Sequence, residues 1–443
     1  MTSGATGRRP PGPRGADIVR ALLNFKRRRV LAFEDLARTY GEVSSFHCLG
    51  FKLYLVTGAE PVRHVMVTNA DNYVKSPGGR RAQRFFGQSL QTTPGAAAKP
   101  RRQMLATMLQ RDRVRPFADV AVSATRALLD GWTAGEVRVC DAVMDLTLDI
   151  GIQMHFGIGP REDSRRIRDP FADALRSLDG FLQLPPPFPT RGNRAYARAM
   201  AAYDAEILPY VAKRRAEGGP RHDLLSSMLE TRQSDGQVLT DRQICHELTS
   251  TLAASFFTTA AAFIQVLRLV AQHPQVEAQL AAELEGALQG RPPGFADLDR
   301  LPFTAQIVKE TLRLCPPAGA MVRVAVDDDR IGEWHVPGGA RVIISQWVMQ
   351  HKPEWFPDPE AFKPERWTPG FERELPTFAY FPFGWGARNC IGQPLAMLQL
   401  QLMLATVAQR VHIEPVRPTP AAFTIDDILE SGGLVLRVHP RTA

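Results

Sequence analysis

Apolar residues first settle into a helical rhythm at Leu31, Phe33, Leu36 and Ala37, a spacing that puts them on one inward face, and Gly41 stops that helix. The period then shortens to two. Residues 43–46 and 51–56 read as strands on either side of Leu49-Gly50. Residues 61–69 return to helix, with proline in the first turn. From 75 to 94 the pattern is irregular, with Gly78-Gly79, Phe85-Phe86 and Leu90, and reads as a loop carrying aromatic residues. Residues 99–110 form a basic helix that includes Arg101 and Arg102. Helical patterning dominates from 114 to 230. It breaks at Leu184-Pro-Pro-Pro-Phe-Pro189, which cannot continue a helix.

The longest element follows. Thr240 and Gln243 stand three apart, as in a capping box, and nothing stops the helix before His273-Pro274. Its length is roughly 50 Å, enough to cross a whole domain. Apolar residues appear all round it, so it is expected to be central and buried. Residues 248–267 are uncharged and long enough for a bilayer, but three serine or threonine hydroxyls lie within 249–251 and others at Ser255, Thr258 and Thr259. A buried helix of a soluble protein fits better than a membrane span. Mid-helix hydroxyls usually bond back to a carbonyl one turn earlier.

Further on, Glu310 and Arg313 share a helix face, and Cys315-Pro316-Pro317 ends that helix. Residues 322–325 and 341–344 have strand character, and residues 395–409 form an apolar helix. The fold class is therefore mainly α with small β-sheets.

Composition narrows the class. The chain has 443 residues and no Gly/Ser-rich linker, which predicts one domain over 17–443 behind a flexible Pro/Gly/Arg-rich arm at 1–16. The net charge is +8, with basic residues read as spread along the chain and not interleaved with aromatics. That argues against nucleic acid and for a docking face toward an acidic protein. Five well-separated cysteines argue against a disulfide framework and suit a reducing cytosol. The N-terminus has no apolar signal segment, so the expected location is cytoplasmic.

The strongest chemical signal is Phe383-Gly-Trp-Gly-Ala-Arg-Asn-Cys-Ile-Gly392. Gly384, Gly386 and Gly392 permit turns that a Cβ would forbid. Phe383 and Trp385 add apolar bulk, and Arg388 puts a fixed positive charge two residues before Cys390. Such a thiol ionises readily, and the thiolate is the metal-binding form. Taken alone, Cys-x-Gly reads equally as a buried cysteine in a tight turn.

The longer pattern Phe-x-x-Gly-x-Arg-x-Cys-x-Gly closely resembles the haem-ligand loop of the cytochrome P-450 family. The resemblance runs from Pro10-Pro11-Gly12-Pro13, similar to that family's proline hinge, to the last strand. It implies haem b (iron protoporphyrin IX) ligated through Cys390, within a loop that includes Phe383 and Gly392. It implies propionate contacts from Arg102, Arg323 and Arg388, although the usual partner four residues before Arg102 is Ala98. Glu310, Arg313 and Arg366 match the family's Glu-x-x-Arg helix and its third, structural partner. Phe85, Phe86, Leu90, Phe181, Ala254, Ala318, Met321 and Gly432 are the implied substrate-pocket positions.

One departure stands out. The family's central helix usually carries small–Gly–x–acid–Thr over the iron. Here Thr258 matches the alcohol, while Ser255 replaces glycine and Phe257 replaces the acid. The resemblance implies a soluble monooxygenase of secondary metabolism that hydroxylates or epoxidises an apolar small molecule. Its electrons would come from a separate ferredoxin or flavin/ferredoxin reductase. Phe257 keeps open an atypical enzyme that performs oxidative coupling, cyclisation or peroxide-driven oxidation. A non-catalytic partner protein of the same fold is the third reading.

Overall fold

The computed structural model describes residues 8–28, 30–48, 50–75, 79–93, 95–159, 161–176, 190–219, 221–233, 236–419, 424, 428 and 433–441. The proline stretch at 184–189, Phe181 and Gly432 lie outside the described residues. The chain divides into two compact units. One comprises Met1–Ser76, Gln306–Cys390 and Pro418–Ser431; the other comprises Pro77–Ala305, Ile391–Arg417 and Gly432–Ala443.

The first unit is built on a five-stranded sheet in the order 43–48, 51–56, 341–344, 321–325, 73–75. The hairpin pairs Val43 with Val56, and a parallel pairing sets Leu53 beside Arg341. Strand alternation feeds two cores. Tyr54, Val56, Val342 and Ile344 point into one cluster, whereas Leu55 and Ile343 point into another with Phe33, Leu36 and Trp347. The helix Leu31–Tyr40 supplies Phe33 and Leu36. It ends at Gly41, whose φ of 88° is the left-handed region that glycine tolerates, with its N–H on the Ala37 carbonyl.

Residues 8–13, expected to belong to a flexible arm, are instead tied to this sheet. Ser45 N–H donates to the Pro11 carbonyl at 2.8 Å, and Ser45 Oγ donates to Pro10. Gly12 passes so close to Ser45 that an added Cβ would sit 1.9 Å from its carbonyl oxygen. Proline pre-extends the segment, which lowers the entropy lost on docking.

The second unit is helical, with a three-stranded sheet in the order 135–138, 435–440, 411–415. Its axis is the helix Asp241–Ala271. The capping box is formed: Thr240 accepts from Gln243 N–H, and the Gln243 side chain takes the Thr240 N–H at 2.9 Å. Pro274 begins the next helix, Pro274–Leu288. Among the described residues Asp241–Ala271 is the one helix long and apolar enough to cross a membrane, and 78% of its most apolar window is buried. The strand Gly135–Arg138 was hidden in sequence by its helical neighbours.

The irregular 75–94 stretch contains a helix, Gly79–Phe86, rather than loop alone. Its core residue is Phe85, which packs against Phe86 and Phe171 with ring centroids 5.0 and 5.8 Å away. Tertiary packing of one aromatic side chain supplies what the weak helical pattern lacks.

Candidate functional site

In the first unit the Cys390 loop is held by its own backbone. Gly384 N–H donates to Phe381, Asn389 N–H to Gly386, and Cys390 N–H to Phe383 at 2.7 Å. Gly384 and Gly386 have φ of 75° and 69°. At Gly386 a Cβ would lie 3.0 Å from the Met66 carbonyl, so conformation and space both require glycine. Gly392 does not need that freedom: its φ of −82° suits any residue. Phe378, which leads into the loop, is a buried phenylalanine at φ 75°. That rare conformation is held by contacts with Phe381 and Trp385. Cys390 and Trp385 are exposed, while Phe383 is half-buried.

Two cations meet in the same unit. Arg323 sits on the strand Met321–Ala325 and is buried. Burial, and secondarily the charge of Arg388, push its guanidinium down to about 10. Its hydrogen bonds reach the Val322 carbonyl and the Met321 sulfur. Arg388 donates to the Tyr73 carbonyl. Neither makes an ion pair with a carboxylate among the described residues. Paired guanidiniums near a low-dielectric wall favour a dianionic ligand. Ala318 is exposed and Met321 half-buried, and the Met321 methyl lies 3.5 Å from where a Gly384 Cβ would stand.

Glu310 anchors the framework below the loop. Arg313 grips it with two bonds of 2.9 Å, and Arg366 Nε donates at 3.1 Å. The sequence motif did not reveal two further donors, Trp367 Nε1 at 2.9 Å and Lys363 N–H at 3.0 Å. Glu310 and Arg313 are fully buried, so these bonds are what make the charges tolerable. Arg313 also donates to Gln350 and Pro359 carbonyls, and Gln350 accepts from Phe381 N–H. The buried network therefore reaches the residue that caps the first turn of the Cys390 loop.

In the second unit, Arg102 lies half-buried on the helix Lys99–Met108, just after Ala98. On the central helix Ala254, Phe257 and Thr258 are exposed and Ser255 is half-buried; Phe257 keeps 47% of its surface. The hydroxyls bond back as expected, Thr258 to the Ala254 carbonyl at 2.6 Å and Ser255 to Leu252 at 3.0 Å. Phe86 and Leu90 are half-buried, whereas Phe85 belongs to the aromatic core.

Sequence reading missed Glu247, a fully buried carboxylate one residue before the uncharged stretch of the central helix. Its Oε1 accepts from Leu90 N–H at 2.8 Å and from Arg101 at 3.1 Å, and its Oε2 has no partner. Burial pushes this carboxyl up to about 7 against the pull of the Leu90 N–H and Arg101. A lone acid at the edge of an apolar run was the available signal.

Residues 10–432 match the sequence profile of the cytochrome P450 family. A cyclooctat-9-en-7-ol 5-monooxygenase of Streptomyces melanosporofaciens is 30% identical over 421 residues, covering 94% of this chain and 92% of that protein. Pentalenene oxygenase of Streptomyces avermitilis is 28% identical, with 89% and 90% of the two chains covered. The crystal structure of the cytochrome P450DA heme domain superposes with a TM-score of 0.86 at 24% identity, over 98% of each chain. A retinoic acid-bound cyanobacterial relative gives 0.82 at 22% identity, over 98% of this chain and 100% of that one. With its mainly helical fold and small sheets, this chain belongs to the cytochrome P450 family of haem-dependent monooxygenases.

Proposed function

We propose that this enzyme oxidises an apolar small molecule in secondary metabolism, by hydroxylation or epoxidation. Residues 17–443 are assigned to one catalytic domain. The observation that carries the reading is the set of donors in the first unit: an exposed Cys390 in a glycine turn, with Arg323 and Arg388 close enough to repel each other and, among the described residues, no carboxylate paired with either. That set fits a porphyrin with two propionates. Cys390 is assigned as the axial ligand, Phe383 as its apolar neighbour, and Gly392 as the start of the following helix. Arg323, Arg388 and Arg102 are assigned to the propionates. Haem ligated by a thiolate supplies electron density that favours O–O cleavage. Glu310, Arg313 and Arg366 hold the loop and take no part in the chemistry. Thr258 and Ser255 are proton-handling candidates.

Substrate contacts are assigned to Phe86, Leu90, Ala254, Ala318 and Met321, with Phe181 and Gly432 outside the described residues. Phe85 acts from behind, by packing Phe86. The names of the two Streptomyces relatives denote an unsaturated alcohol of one skeleton and an unsaturated hydrocarbon of another, which supports an apolar substrate with few oxygens. Electrons come from a separate ferredoxin or flavin/ferredoxin reductase, and the enzyme works in the cytoplasm.

The reduced carbon-monoxide complex should show the red-shifted Soret band of thiolate ligation. Cys390→Ser should abolish it; a mutant that keeps the band refutes the ligand assignment. Spin-state titration across terpenoids, polyketides, fatty acids and aromatics tests the substrate class, and a response confined to polar compounds would overturn it.

Phe257 favours a second reading. A phenyl ring supplies no proton at the position where the sequence pattern expects an acid, and positioned acid–base groups are typically worth about 10²–10⁴ in rate. This reading is an atypical enzyme that performs oxidative coupling, cyclisation or peroxide-driven oxidation, and with peroxide as oxidant the protons arrive with the oxygen. Phe257→Asp, assayed as product per electron consumed, separates the two: unchanged product and unchanged coupling would reduce Phe257 to packing.

A further inference from the structure

The basic excess, expected to be spread along the chain, is not. Residues 8–29 hold eight basic side chains against a single acid, Asp17, which accounts for +7 of the chain's +8 and leaves +1 for the other 421 residues. A docking face defined by general surface charge therefore has little support. Arg8 pairs with Glu333 and Arg9 bonds Ser45, whereas Arg20, Lys26, Arg27 and Arg28 belong in sequence to one element, the helix Ala16–Arg28, with Arg14 and Arg29 next to its ends.

That helix has two different faces. Ala21 packs onto the core cluster of Phe33, Leu36, Leu55 and Trp347, with Ile18 half-buried on the same side. Val19, Leu22 and Leu23 stand at i, i+3 and i+4 on another side, 57%, 39% and 51% exposed. Other exposed large apolar side chains among the described residues, such as Phe51, Val238 and Trp385, are scattered over separate elements. Single exposed apolar residues need no explanation; three neighbours on one turn and a half do. Among the described side chains of this helix Arg20 pairs locally with Asp17, and that pair is exposed.

We propose that this helix is a peripheral docking element for an anionic lipid bilayer, lying in the interface with Val19, Leu22 and Leu23 inserted and the positive charge of the 14–29 sequence supplying attraction to the headgroups. Charge complementarity selects that occupant. A second copy of the chain would bring +7 against +7. A nucleic acid would use the arginines and leave the apolar trio exposed in water. An anionic bilayer satisfies both features at once, because a basic amphipathic helix gains from apolar insertion and from the negative surface potential together. In this arrangement the helix lies along the surface and does not span it. The surface does not depend on the substrate assignment, although a bilayer is where an apolar substrate would collect.

The test is cosedimentation of the holoenzyme with phosphatidylcholine vesicles, with and without phosphatidylglycerol. Binding should require the anionic lipid and fall with salt. Replacing Lys26, Arg27, Arg28 and Arg29 by glutamine should weaken it by about 100-fold or more, since each basic residue contributes on the order of fivefold. The triple variant V19S/L22S/L23S, whose sites are exposed, should weaken it at least tenfold. Far-UV circular dichroism and the carbon-monoxide spectrum establish that both variants remain folded. A wild type that stays in the supernatant with anionic vesicles overturns the proposal. So does a triple variant that binds as well as wild type, since that would be adsorption by charge alone. Self-association at physiological salt that the triple variant abolishes would likewise assign the face to a second copy and overturn it.

Discussion

Replacing Glu247 by glutamine should change stability in a manner that depends on pH. The wild-type carboxylate is fully buried on the central helix, with only Oε1 satisfied. Its folded-state pKa is raised from 4.5 to about 7, by burial first, so between those values the folded state holds a proton that the unfolded state has released. Stability from this group is therefore fully present below 4.5 and is lost as pH rises through 7. The interval corresponds to about 3 kcal/mol at full titration. Glutamine keeps an oxygen for the Leu90 N–H and carries no charge, so it mimics the protonated acid at every pH. Relative to wild type, Glu247→Gln should then gain about 2–3 kcal/mol on going from about pH 5 to about pH 8. Urea unfolding followed by far-UV circular dichroism at both pH values measures that difference, and groups common to both proteins cancel. A difference that is the same at both pH values, or that moves the other way, refutes the reasoning. Function is involved because the carboxylate fastens the 87–93 segment. Leu90 is bound to Glu247, Gln88 N–H donates to His246 Nδ1, Gln91 reaches the Ser250 carbonyl, and Arg101 holds Gln88.

Three further outcomes are expected. Glu310→Gln leaves Arg313 charged and buried without its anion, and should cost about 3–5 kcal/mol in the same urea assay; a loss below about 1 kcal/mol would mean the network is replaceable. Gly87→Ala places a Cβ 2.3 Å from the His246 ring at a φ of 54°, and should cost about 1–3 kcal/mol; a neutral melt would show that the segment shifts freely. Arg323→Leu removes one proposed propionate partner, and should speed haem transfer to apomyoglobin by roughly 10–100-fold, the worth of one charge-assisted hydrogen bond; an unchanged rate would remove Arg323 from the haem site.

Local signals carried much of the fold. The Thr240 capping box and the Pro274 stop bound the central helix in sequence and in structure, because both act within one turn of the chain. The 51–56 and 341–344 strands are legible because alternate residues feed separate cores. The glycines of the Cys390 loop announce the turn, although only Gly384 and Gly386 use positive φ and Gly392 does not. What the sequence alone does not determine is partnership across distance. Trp367 completes the Glu310 network from 57 residues away, and Leu90 meets Glu247 from 157. Phe85 makes a helix of a segment without strong periodicity, and Ser45 holds an N-terminal segment whose composition resembles an arm. Caps, periods and turns are written in neighbouring residues, so one sequence window contains their cause. A buried carboxylate's donors, an aromatic side chain's packing and a docked strand's hydrogen bonds arise only when the fold has brought distant residues together and excluded the water that would otherwise serve them.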